Sequence, residues 1–388
     1  MTSELESHPS VFPTGQRMVR KGENTGMKTQ KSITRNPLNR RSFMRGGLVA
    51  GGAAAMGAGL LSSSSPAFGQ DSDDRGQGLN RGDTAILRFL AAAELIEADL
   101  WQQYAELGGV TGGSMNAYQT AFTNLDGDGM QYITSNTLDE VSHADFLNAY
   151  LESKGADPVN LDAFRQLQGS TATGAKNIGR LTNLMHLTVD TSWYTRYRST
   201  TNPDFGATFP QALNINNRSA IPVTDADFDN PTHIQAIADI AAFHFGSIEQ
   251  GGSSLYAALS QKVSGAEVLE ITLGIGGSEI AHFLEWVDFA GNAVQGPPVT
   301  DQGLTFPDFN DPPNPQLQTN LIFPIPCEFI NPKLPKCAVI RPLTDQNAGA
   351  VAAVMSLTGS GLFMGQSKQF LGLLQQLAME ADQARRSF

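Results

Sequence analysis

Glu97, Tyr104, Glu140 and His143 are echoed later in the chain by Glu249, Tyr256, Glu279 and His282, in the same order and with the same motif spacings. Each half reads Glu-x₆-Tyr and then Glu-x-x-His. Positions i and i+3 of a helix share one face, so each Glu-x-x-His aims a carboxylate and an imidazole at one point. Iron(II) and manganese(II) accept these donors, and two such ions about 3.5 to 4 Å apart need bridging carboxylates to offset their repulsion. The expected ligands are Glu97, Glu140, His143, Glu249, Glu279 and His282, giving four carboxylates for two cations and one histidine for each.

A single Glu-x-x-His is weak evidence, since most are exposed helix pairs. Two among only six histidines are different: with the glutamates present here, chance gives this in about two sequences in a hundred. Tyr104 and Tyr256, two turns beyond their glutamates, can hydrogen-bond those carboxylates from behind or simply fill the core. Of the neighbouring pair Glu94 and Glu97, Glu97 is favoured as the ligand because it has the tyrosine seven residues on. Glu94 is placed behind the ligands or facing elsewhere.

Other local patterns have plainer explanations. Thr137-x-x-Glu140 imitates a capping box, but the helical pattern begins earlier, near Gln131. Asn124-x-Asp126-x-Asp128-Gly129 imitates a calcium loop, yet its twelfth position is Ser135, so it reads as a turn. His244, between Phe243 and Phe245, reads as core, and His186 and His233 receive no role. Gly246, Gly251, Gly252, Gly274, Gly276 and Gly277 are unusual inside helices and mean close packing, access to the site, or a local kink.

Four helices must position the repeated residues. The first is expected from Thr84 to Leu107, capped by Asp83 and stopped at Gly108-Gly109; the second runs from about Gln131 to Ser153. Residues 157 to 230 form a long crossover, with a helix expected from about Lys176 to Tyr197. The third helix runs from Pro231 to about Gln261 and the fourth from about Ala266 to Phe289. Ten of the twenty prolines then fall between Pro297 and Pro335, which points to an extended segment. A last helical stretch, about Asp345 to Arg386, is divided by Gly359 and Gly361. The repeat implies a pseudo-twofold relation between the halves.

Residues 1 to 69 read as an export signal, with the twin arginines Arg40-Arg41 before Ser42-Phe43-Met44 and an apolar stretch from Gly46 to Leu61. Ala67-Phe68-Gly69 suits cleavage near Gln70, and Met27 is an alternative start. Twin-arginine export carries folded proteins and places this one in the periplasm or outside the cell. Removing nine Lys+Arg and three Glu leaves 17 basic and 35 acidic residues, a net charge of −18. Such a chain is a poor partner for nucleic acid, or for anionic membrane once the signal is cleaved, and a good one for metal cations. Association with copies of itself stays open. Cys327 and Cys337, ten apart among prolines, can close one disulfide loop after export.

The chain resembles the ferritin-like superfamily, and within it the exported ferritin-like domain group that includes the desiccation-related proteins. The likeness rests on Ala93-Glu94-Leu95-Ile96-Glu97-Ala98, Glu140-x-x-His143-x-x-Phe146-Leu147, Glu249 with Leu255-Tyr256, and Ser278-Glu279-Ile280-Ala281-His282. It covers roughly residues 83 to 291, while 292 to 388 lie outside it. That group usually has an aromatic pair shortly after the first-helix glutamates, where this chain has Leu100-Trp101. The resemblance implies an all-α fold, a ferritin-like four-helix bundle with a long crossover between helices 2 and 3 and a proline-rich C-terminal extension. It also implies a di-iron or di-manganese centre. Two functions follow as expectations: an exported stress-protection metalloprotein doing redox chemistry with oxygen or peroxide, or a non-catalytic desiccation-related envelope or scaffold protein. Cage-type iron storage ranks below both, because the additions obstruct compact subunit packing.

Overall fold

The computed structural model describes residues 78–198, 210–309, 333 and 349–387. The expected export signal, Cys327, Cys337 and most of the proline-rich segment lie outside these residues. The described part is mostly helical. Its helices are α1 (Arg81–Gly108), α2 (Ala117–Leu125), α3 (Gly129–Ser153), α4 (Ser192–Arg198), α5 (Pro231–Ser260), α6 (Ala266–Asn292), α7 (Ala350–Gly359) and α8 (Lys368–Gln383). No helix among the described residues is long and apolar enough to cross a membrane.

Local sequence explains most of the boundaries. Asn80 accepts a hydrogen bond from the Asp83 amide at 2.9 Å and so caps α1. Asp83, expected as that cap, instead reaches across the fold to accept from the amides of Ser264 (2.9 Å) and Gly265 (2.7 Å), where α6 starts. Asn230 accepts from Thr232 and His233 at the head of α5, with Pro231 in the first turn. The turn before α3 is held by Asp126, which accepts from the Asp128 amide at 2.8 Å. Because α3 already begins at Gly129, Glu140 stands mid-helix, and Thr137 donates to the carbonyls of Ile133 (2.6 Å) and Trp101 (3.1 Å) rather than capping.

The long helices pack as α1 on α3 and α5 on α6, with α3 meeting α6 and α8 lying along α1. At one level of this core Trp101, Phe245 and Trp286 form a stack, with ring centroids 4.8 Å, 5.3 Å and 4.6 Å apart. All three are fully buried. Each side chain of this size contributes roughly 1.5 to 3 kcal/mol on leaving water.

The crossover departs from expectation. Lys176 to Tyr197 is not one helix; it holds Gly179–Arg180 and Leu187–Val189 as short strands, followed by the seven-residue α4. The strands β1 (Leu167–Gln168) and β2 (Gly179–Arg180) pair antiparallel, as do β3 (Leu187–Val189) and β4 (Ile215–Arg218). A third hairpin, β5 (Val299–Asp301) with β6 (Leu304–Phe306), follows α6. The physical reason lies in Asp99 of α1. Its buried carboxylate accepts from the amides of Leu181 and Thr182 (both 3.0 Å), from the Thr182 hydroxyl (2.7 Å) and from Arg165 (2.6 Å). Those amides are taken from any helical ladder, so tertiary contacts override the local pattern. Asp99→Ala strands these donors in the interior and is expected to cost about 3 kcal/mol, read as a lower thermal midpoint.

The C-terminal stretch divides near Gly359 and Gly361, as expected, into α7 and α8. Asp382 of α8 accepts from the amides of Ala350 (3.0 Å) and Val351 (2.9 Å), capping α7, and is itself held by Lys262 at 2.9 Å. Thus the end of the chain is tied both to its own preceding helix and to the residues just after α5.

Candidate metal centre

Each long helix supplies at least one carboxylate to a common point. Glu94 comes from α1, Glu140 and His143 from α3, Glu249 from α5, and Glu279 and His282 from α6. The three-residue spacing in α3 and α6 puts each glutamate and histidine on the same inward face. Glu140, Glu249 and Glu279 are wholly buried and Glu94 nearly so. Their donor atoms form two groups in which every member can reach one ion: Glu94, Glu140, His143 and Glu279, and Glu140, Glu249, Glu279 and His282.

Glu140 and Glu279 belong to both groups. Each group then adds one private carboxylate, Glu94 or Glu249, and one private imidazole. Glu140 lies between the imidazoles, with Oε2 3.1 Å from His143 Nδ1 and Oε1 3.1 Å from His282 Nδ1. Glu94 Oε2 is 3.5 Å from His143 Nδ1, and Glu249 Oε2 is 3.3 Å from His282 Nδ1. Both histidines therefore offer Nδ1 to the centre, and His282 turns Nε2 to Asp139 at 3.2 Å.

The polar accounting inside the cluster is incomplete. Glu94 Oε2, Glu249 Oε2, both oxygens of Glu279 and His282 Nδ1 are buried without a hydrogen-bond partner. Buried polar atoms are ordinarily satisfied, so five orphans converging on one point fit the coordination sphere of a cation. These buried Glu and His groups could hold a metal ion.

Electrostatics agree with that demand. Burial raises Glu94 to about 8, with the nearby Glu140 adding to the rise against the opposing pull of His143. Glu249 and Glu279 are pushed up by burial and then by Glu140. Glu140 is the exception: burial would raise it, yet the imidazoles of His143 and His282 on either side hold it down at about 2. Burial likewise opposes charging of the imidazoles, but their carboxylate neighbours lift His143 to about 10 and His282 to about 11. Without a cation the cluster stores protons; with one it must release them.

Glu97, favoured as the ligand from sequence, enters neither group, and Glu94 takes its place. Glu97 is half-buried and lines a cavity beside the cluster, while burial and then the charge of Glu94 push its carboxyl well above the usual range. The tyrosines also divide. Tyr256 donates a short hydrogen bond to Glu94 across the helices. Tyr104 pairs instead with His244 Nδ1 at 2.7 Å. His244 is thereby accounted for as a core residue, with burial pulling it down to about 3.

Two supporting residues were not singled out from sequence. Asn136 donates to Glu140 (2.8 Å) and Glu249 (3.2 Å), while its own oxygen accepts from Trp286 Nε1 at 2.8 Å. Asn136 stands four residues before Glu140 and Asp139 four before His143, so each carried an i,i+4 signal toward a ligand. Asp139 reaches His282 from another helix, which spacing cannot reveal.

The helix glycines separate by what surrounds them. A Cβ on Gly252 would overlap the Glu279 carboxylate, and one on Gly246 would overlap the Trp193 indole. Gly251, Gly274 and Gly277 face open space. Gly252→Ala is expected to displace Glu279, lowering bound metal per chain and costing about 1 to 3 kcal/mol from overpacking; elemental analysis and thermal melts check both. No family model, curated protein or solved structure matches the chain in comparisons with known proteins.

Proposed function

We propose that the four long helices form a ferritin-like bundle whose core holds two iron or manganese ions, in an exported redox metalloprotein that reacts with oxygen or peroxide and serves in stress protection. The observation that carries this reading is the pair of ligand groups sharing Glu140 and Glu279, with their orphaned buried atoms turned to the common point. A bound metal pair supplies redox chemistry with dioxygen or hydrogen peroxide. The protein does the rest. Glu140 and Glu279, common to both groups, would help hold both ions, Glu94 with His143 one of them and Glu249 with His282 the other, and carboxylate and imidazole donors suit iron or manganese.

The surrounding residues fix the ligands. Asp139 accepts from His282 Nε2, which holds Nδ1 free for the centre. Asn136 clamps Glu140 and Glu249, and Tyr256 restrains Glu94. The buried aromatic stack next to Asn136 excludes bulk water from that side.

The test is to purify the exported protein, reconstitute it with Fe(II) or Mn(II), and measure metal per chain by mass spectrometry. Two ions per chain, with turnover of peroxide or consumption of oxygen, are expected. Less than about one ion per chain overturns the metal reading. Full loading without turnover favours the scaffold function instead.

A further inference from the structure

A cavity of about 590 Å³ lies against the metal cluster, between α1, α5 and α7. Its walls include Phe89 and Ile96 from α1, Ile248 and Leu255 from α5, and Val354 and Leu357 from α7. The C-terminal extension thus closes a space that the four ligand-bearing helices leave open. Two lining residues connect the chamber to the cluster. Glu97 feels the charges of Glu94, Glu140 and Glu249, and Gly252 sits so close to Glu279 that a Cβ would collide with its carboxylate. One residue layer, with a glycine in it, separates the chamber from a shared ligand.

The dimensions argue against a route for ions, water or peroxide alone. A water molecule takes about 30 Å³, so a passage for such species needs far less room. The chamber falls instead within the roughly 300 to 1,000 Å³ that encloses a whole organic ligand. Its charged lining consists of Glu97 and Asp190, with no lysine or arginine among the described lining residues. An organic anion would lose its water in a low-dielectric wall that offers no counter-charge. A neutral molecule with a long apolar body fits, its hydroxyl donating to Glu97 at the inner end.

We infer that this chamber is the binding site for an organic co-substrate of the metal centre: a neutral, mainly apolar molecule bearing a hydroxyl head, seated between α1, α5 and α7. This rests on the proposed metalloprotein reading, but binding is separable from metal content. The experiment titrates the purified full-length mature protein with 4-hexylphenol and, in parallel, 4-hexylbenzoate, by isothermal calorimetry, with metal analysis on the same samples. One phenol per chain is expected, bound at least about tenfold more tightly than the benzoate.

Ala353→Trp, which fills the chamber from α7, is expected to weaken phenol binding at least about tenfold while metal per chain and the thermal midpoint stay unchanged. Ala352→Phe gives the same result if the tryptophan variant does not fold. Glu97→Gln keeps the chamber and is expected to narrow the difference between the two probes. No phenol binding to the wild type, equal binding of the benzoate, or undiminished binding to a folded filled variant overturns the inference. Phenol binding to protein that takes up no Fe or Mn keeps the chamber and removes the metal reading; full metal loading without phenol binding does the reverse.

Discussion

Glu140→Gln is expected to empty both metal positions at once, whereas Glu94→Gln should empty only one. The reason is topological. Glu140 belongs to both ligand groups and places one oxygen against each imidazole, while Glu94 serves the His143 group alone. Glutamine matches the shape of glutamate but removes the charge and offers a donor where the ions need an acceptor. Elemental analysis should read near zero metal for Glu140→Gln and about half the wild-type content for Glu94→Gln. Equal losses in the two variants would mean that the shared carboxylate is not shared in solution. Asp139→Ala, which touches the centre only through His282, is expected to weaken metal binding about 10- to 100-fold.

The second large effect is a reversal of pH dependence when metal is stripped. In the metal-free protein, Glu94, Glu249 and Glu279 bind protons more tightly than in the unfolded chain. The stability from a raised carboxyl is fully present below its unfolded value and is lost as pH climbs through its folded one, which for Glu94 is about 8. His143 and His282 act in the same direction: their contribution is complete below the unfolded histidine value and is lost as pH rises through about 10 and 11. Within the cluster, Glu140, held at about 2, is the group whose contribution falls away at strongly acid pH. Each retained proton weakens the fold by about 1.4 kcal/mol for every pH unit climbed inside its window. The chelator-treated protein should therefore melt at progressively lower temperature from pH 5 to pH 9. The loaded protein should not, because cations replace the protons and their affinity falls as pH falls. Thermal melts across that range, with and without metal, check the prediction; parallel curves would sink it.

Much of this site was legible because its grammar is local. A glutamate and histidine three apart on a helix must share a face whatever the rest of the fold does, so Glu140/His143 and Glu279/His282 could be named from spacing alone. Glu94 against Glu97 could not be settled that way. They too are three apart on one face, and the choice depends on how far α1 is rotated against its neighbours, a quantity set by packing. The tyrosine seven residues on misdirected the choice, since Tyr256 serves Glu94 across the core and Tyr104 serves His244. The long helices were readable because each carries more than two dozen residues of helical pattern without an internal proline. The crossover was not, because Asp99, some eighty residues upstream, takes the amides of Leu181 and Thr182. The short α2 was also missed; its nine residues give too few turns for a periodic signal.

The wall contributed by α7 carries an order in time. The last residue of the ligand set, His282, is synthesised well before Ala350 begins that helix, and α7 is capped only when Asp382 arrives. A growing chain is made from its N-terminus, so earlier elements are available before later ones. The cluster can therefore assemble and meet ions while its flank is still exposed, and the chamber acquires its roof only after every ligand has been made.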